Sequence, residues 1–192
     1  MTETEKATFR FTTAELVFIA IVGVVFGIVN NLLGIVYTAI NAINPMLALM
    51  FAPFGIVAVL AAYVVRKPGA ALLAGIINGL VQFLAGNPAG LWALGFGLAH
   101  GLGVEVVFAA FRYRNYGWLA CFLAGLLDGV FNMIVVVVAF GMLTFMPMSQ
   151  ILVSIVVASL ASGVEAGLLG KVVGELLYRV GLLKGFLIAK QR

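Results

Sequence analysis

Residues 66–88 read RKPGAALLAGIINGLVQFLAGNP. Two cations and a proline open the stretch, a charge-free run follows, and a second turn containing glycine and proline closes it. Proline removes a backbone donor and glycine frees the backbone, so both ends read as breaks. The run between them is apolar throughout rather than alternating, which predicts a helix crossing a bilayer and not a barrel strand. Two amides, Asn78 and Gln82, interrupt it four residues apart and therefore share one helix face. Polar side chains are costly in hydrocarbon and turn toward a bundle interior or a cavity. The pair is read as lining a binding cavity. Amides in membrane helices also bridge neighbouring helices, and the sequence leaves that role open.

The rest of the chain extends the pattern. Of its 192 residues 64% are hydrophobic and 9% charged, with a mean hydropathy of +1.21, against about a quarter charged in a soluble domain. A soluble fold is excluded, and the chain is expected to be an all-α integral membrane protein of the cell (plasma) membrane. The net charge of +4 sits beside apolar segments, where cations set topology; no nucleic acid is expected as a partner. A single cysteine, Cys121, permits no internal disulfide and no metal-ligand spacing. The first apolar segment lacks a small-residue cleavage site and reads as a retained helix rather than a signal peptide.

Six stretches are long enough to span: 13–36, 46–65, 69–86, 91–111, 117–145 and 151–180. They imply a six-transmembrane-helix bundle over 13–183, a short segment 1–12 before it and a basic tail 184–192 after it. Lys6, Arg10, Arg66, Lys67, Arg112, Arg114, Arg179, Lys184, Lys190 and Arg192 all fall on one side of this arrangement. The opposite loops, 37–45, 86–90 and 146–150, contain no lysine or arginine. The positive-inside rule then places both termini in the cytoplasm. Lys171 lies within the last span and is expected to snorkel or to pair with Glu175 at i+4.

Polar residues within the spans mark a candidate site. Asn30, Asn78, Gln82 and Trp92 lie toward the outer half, with His100, Asp128 and Asn132 nearer mid-depth. Asp128 and Asn132 form a second i,i+4 pair on one helix face. A pocket walled by amides and aromatics with one carboxylate suits a small polar or cationic molecule. Asp128 carries the most weight, because an intramembrane acid is by default a functional residue. Competing roles exist for the others: His100 as a packing residue, Tyr37 and Trp92 as interfacial anchors, Asn87 as a turn residue. Glu105 and Glu165 are also embedded, and are expected to pair with Lys171 or with cytoplasmic arginines. Gly23-x-x-x-Gly27 permits close helix approach, within the bundle or to another membrane protein.

Catalytic signatures are missing. There is no phosphate-binding G-x-x-x-x-G-K-[ST] loop, no H-E-x-x-H and no G-x-S-x-G. An enzyme is therefore disfavoured, and active transport by this chain needs energy from another subunit. Two other readings remain: an autonomous proton-coupled carrier or channel relaying through Asp128, Glu165 and His100, and a structural subunit of a membrane complex.

Arg66-Lys-Pro-Gly-Ala-Ala71, Gly86-Asn-Pro-Ala-Gly90, Gly101-Leu-Gly-Val-Glu105 and Gly167-Leu-Leu-Gly-Lys171 occur here in order along the chain. In that order and spacing they resemble the substrate-binding S components of energy-coupling factor (ECF) vitamin transporters, thiamine/hydroxymethylpyrimidine branch. The resemblance implies capture of a vitamin or precursor from outside, followed by docking on a membrane coupling protein (T component) driven by two cytoplasmic ATPases. ATP would be used by those partners and no cofactor held in this chain. It also implies that a small-x-x-x-small motif on the first helix, matched by Gly23 and Gly27, contacts the coupling protein. In thiamine-type members acidic side chains on the second and third helices help to hold the cationic vitamin, whereas this chain has no acid between Arg66 and Glu105. Asp128 then replaces that charge, or the ligand is neutral, as hydroxymethylpyrimidine is. Under the resemblance Asn78 and Gln82 contact a heteroaromatic ring, since amides donate and accept, and Trp92 or Phe83 stacks on it.

Overall fold

The computed structural model describes residues 10–190, all helix, turn and loop. Lys6 and Arg192 of the charge argument lie outside the described residues. The turn at residues 66–69 forms where proline and glycine place it. A ten-residue helix ends at Val65, Arg66 adopts a left-handed backbone (φ 54°), and the next helix starts at Ala70.

The helices are α1 Thr13–Ile43, α2 Pro45–Leu49, α3 Ile56–Val65, α4 Ala70–Leu84 and α5 Trp92–Ala110. They continue with α6 Trp118–Ala139, α7 Met148–Ser162, α8 Leu169–Arg179 and α9 Leu187–Lys190. A π-helical segment, Gly163–Leu168, joins α7 to α8 into one long span. Five stretches are long and apolar enough to cross a membrane, with α4 a shorter sixth. At 15 residues α4 is about 22 Å long, less than the hydrocarbon core.

Three spans depart from the boundaries read in the sequence. The first runs on to Ile43, because Asn44 takes over as the cap of α2, its Oδ1 accepting from the N–H groups of Met46 and Leu47. The fifth stops at Ala139, where Gly141 turns left-handed (φ 58°). The second is broken between Leu49 and Ile56 by a loop and a 3-10 turn, Pro53–Gly55. That break determines where the site forms.

The core is organised around α3. Its sequence, IVAVLAAYVV, is apolar on every side, and every residue from Val57 to Val65 is buried. A helix hydrophobic all round belongs inside a bundle. Neighbours α1, α4, α5, α6 and α8 contact it from several sides. Between α4 and α5 the backbones nearly touch: a Cβ on Gly97 would collide with the Gly75 carbonyl, and one on Gly75 with the Gly97 carbonyl. Small residues at such a crossing are what membrane helices use to approach closely.

The cation-rich end is tied by paired charges rather than left as a loose positive fringe. Thr12 and Glu15 form a capping box at the start of α1. Glu15 also pairs with Lys67 at 2.7 Å, and Lys67 Nζ donates to the Arg10 carbonyl at 2.8 Å. Glu105 accepts from the Gly69 N–H at 2.6 Å and the Tyr113 hydroxyl at 2.7 Å, so it fastens two turns and does not pair with Lys171. Burial, reinforced by that carboxylate, raises the Tyr113 phenol above its usual pKa. Lys171 lies 3.6 Å from Glu175, as the spacing suggested, donates to Tyr116 O at 2.9 Å, and sits over the Tyr63 ring. Beyond 184 the described residues pack on the bundle: Ile188 is fully buried and Phe186 packs edge-on to Phe18.

Candidate functional site

The predicted polar residues form two clusters that meet at the broken second span. The first is a string of amides. Gln82 Nε2 donates to Asn78 Oδ1 at 2.7 Å, and Asn87 Nδ2 donates to Gln82 Oε1 at 3.0 Å and to Asn31 Oδ1 at 2.9 Å. Asn30 Nδ2 approaches Asn78 Oδ1 at 3.4 Å and donates to the Phe54 carbonyl at 2.9 Å. Asn78 is completely buried. The string links α1, α4 and the turn after α4 to the 3-10 turn, so the bridging role accounts for most of its hydrogen-bonding capacity. Among the described residues, Asn30 Oδ1 and Asn78 Nδ2 have no partner in the chain.

The second cluster is the acid–imidazole centre. His100 Nδ1 lies 2.6 Å from Asp128 Oδ1, Ser162 Oγ donates to Asp128 Oδ2 at 2.9 Å, and Asn132 Nδ2 lies 3.2 Å from His100 Nε2. An Asn132 amide donating to Nε2 matches the tautomer whose Nδ1–H donates a hydrogen bond to Asp128 Oδ1. Three spans converge here, α5, α6 and the end of α7. Asp128 is 1% exposed and packs so closely on Gly55 that a Cβ there would overlap its carboxylate. A cavity of about 30 Å³ lies against this centre, closed on one side by Ala52 and Phe54.

Backbone groups freed by a broken span need partners in an apolar surrounding, and side chains meet two of them. Asn30 meets one, the Phe54 carbonyl; Glu165, on the π-helical segment, meets the other, accepting from the Ala52 N–H at 2.6 Å. Glu165 is therefore engaged with backbone, and the expected pairing with Lys171 or an arginine is not what it makes. Nor does it touch His100 or Asp128 by a hydrogen bond, so the three-member relay is not assembled.

Beyond the small cavity, at the cation-poor end, lies an open one of about 530 Å³. It is walled by Tyr37 and Asn41 of α1, Met46 of α2, Met133 of α6, Met142 and Met146 of the following turn, and Gln150 and Ser154 of α7. Sequence reasoning had set Tyr37 aside as an anchor and missed the methionines. A signal existed: all methionines but Met1 fall at residues 46–50 or 133–148. Methionine is flexible and polarizable, suited to adaptable walls around a flat ring.

Other candidate residues lie away from both cavities. Trp92 is 43% exposed and Phe83 39%, and neither lines either cavity; they face outward at the bundle surface, so the stacking role does not fit them. Gly23 and Gly27 are buried, because a Cβ at either would strike Ile77 or Val81 of α4. Their close approach is used inside the bundle, against α4. Among the described residues no three His, Cys, Asp or Glu side chains come together as a metal site.

Residues 14–131 match the family described as the permease component of an ABC-type cobalt transport system. YkoE of Bacillus subtilis (strain 168), named as an HMP/thiamine permease protein, is 34% identical over 186 residues, 92% of this chain and 89% of that protein. A solved structure described as an S component of an ECF transporter superposes with a TM-score of 0.88 at 33% identity, covering 95% of this chain and 93% of that one. With its bundle of apolar helices, the chain is a multi-pass membrane protein and a transport component, not an enzyme, and it belongs to the S components of ECF transporters.

Proposed function

We propose that this S component captures hydroxymethylpyrimidine, thiamine or a closely related heteroaromatic vitamin at its cation-poor end. That end then faces the outside, with both termini in the cytoplasm. The observation that carries the reading is the placement of a buried acid–imidazole pair beneath an open cavity of about 530 Å³. That volume lies within the range of small-molecule sites, about 300–1,000 Å³, which are mostly apolar with a few convergent polar groups. The methionines and Tyr37 offer surface to a flat ring. Asp128, His100 and Asn132 offer acceptor and donor atoms to its amino or hydroxyl substituents, and the Asp128 carboxylate favours a ligand with positive charge. The relative named as an HMP/thiamine permease protein supports the ligand class.

Uptake against a gradient would come from a T component and two cytoplasmic ATPases. Since Gly23 and Gly27 are covered, the first span would meet that coupling protein through side chains that remain exposed, among them Val24, Val25 and Ile28.

The test is calorimetric binding to protein purified in detergent, with thiamine, hydroxymethylpyrimidine, pyridoxine, riboflavin and biotin as the panel. One of the first two is expected to bind tightly, and Asp128→Asn to weaken it at least tenfold. A protein that binds none of the panel would overturn the capture reading.

A further inference from the structure

The two cavities share their walls. Along the second span the lining passes from Met46 and Leu49 in the open cavity to Ala52 and Phe54 in the small one. Along α6 it passes from Val136 and Met133 to Asn132 and Gly129, and along α7 from Ser154 to Ala158 and Ser162. Ser154 and Ala158 are one helical turn apart, about 6 Å along the axis. The cavities are thus successive storeys of one groove between three spans. Met133, 4% exposed, is the residue that lines both.

The small storey, at about 30 Å³, has room for little more than a water-sized group. It nevertheless holds the acid–imidazole centre, while the storey large enough for a ring has no charged side chain in its lining. A ring resting in the open storey with Met133 as it stands is separated from Asp128. We propose that Met133 is a movable partition. On binding, the ligand displaces the thioether, which has three rotatable bonds and low cost of rearrangement, and its polar substituent enters the small storey to reach Asp128 and His100. Met133 then sets which substituents gain access to the centre and is a specificity-determining residue. This rests on the capture reading above.

A double-mutant cycle tests it, because groups that act through one another are not additive. Thiamine and hydroxymethylpyrimidine are titrated into wild type, Asp128→Asn, Met133→Phe and the double variant. Asp128→Asn is expected to cost at least tenfold in wild type and less than twofold in the Met133→Phe background, where the bulkier ring bars the way. Equal losses in both backgrounds would overturn the partition while leaving capture intact. So would an Asp128→Asn protein that binds like wild type. Failure of wild type to bind either compound would instead overturn capture itself.

Should Met133→Phe not fold, Met133→Ala gives a separate reading by rapid-filtration kinetics with radiolabelled thiamine and hydroxymethylpyrimidine. Removing a partition speeds association, here expected to rise at least threefold, whereas removing a mere wall contact speeds dissociation alone. An association rate unchanged or slowed would reject the partition.

Discussion

Gly55 has no side chain because the Asp128 carboxylate occupies the place where one would go. That contact orders the site at the level of single atoms: Asp128 is held from one side by the turn backbone and from two others by His100 and Ser162. Gly55→Ala is therefore expected to displace the carboxylate, lowering stability by about 1–3 kcal/mol as overpacking does and weakening ligand binding together with it. Thermal unfolding and calorimetry on the same sample check both. The importance of Asp128 was legible in the sequence, since an acid in a membrane span needs a reason. His100 was legible at the same depth but not as its hydrogen-bond partner, and Ser162 was not legible at all. His100 and Ser162 are 28 and 34 residues away along the chain, and nothing local ties them to it.

At the scale of elements, the broken second span and the π-helical segment of the sixth depend on one another. Breaking a helix in an apolar surrounding frees backbone donors and acceptors that must be satisfied by protein. Glu165 takes the Ala52 N–H and Asn30 the Phe54 carbonyl. Glu165→Ala should leave a half-buried N–H unpaired and cost about 1 kcal/mol, while Glu165→Gln, which keeps an acceptor oxygen, should lose much less. Unfolding midpoints in detergent decide between them; equal losses would mean that the charge, not the hydrogen bond, matters. The contact of α4 with α5 gives a second expectation. Gly97→Ala should destabilise by about 1–3 kcal/mol, because its methyl meets the Gly75 carbonyl. Gly34→Ala in α1 meets no atom within 4 Å and should be neutral or stabilising by up to about 1 kcal/mol.

For the whole molecule the expectations concern orientation and energy. With Cys121 buried, a cysteine introduced at Ser149 should react with an impermeant maleimide on intact cells, and one at Arg114 only after permeabilisation. The reverse pattern would invert the assigned topology. Reconstituted alone in vesicles, the chain should bind ligand but not accumulate it. Accumulation should require the coupling protein, the ATPases and ATP. Uphill uptake by this chain alone, driven by a proton gradient, would restore the relay reading that the position of Glu165 disfavours.

Composition and the placement of charge were enough to determine the bilayer as solvent, the number of spans and the expected orientation, because hydrophobic length and cation asymmetry are properties of the linear chain. The turn at 66–69 was equally plain, since proline and glycine act locally. Even the identities of most polar site residues could be read, because a buried polar group stands out against an apolar background. Tertiary structure alone decided what they do. It joined Asn78 and Gln82 into a bridging string, gathered Asp128, His100, Asn132 and Ser162 into one centre, turned Gly23 and Gly27 inward and set Trp92 outside. Those outcomes depend on which helix faces meet, and that is settled by close packing between segments far apart in the chain, where no local pattern reaches.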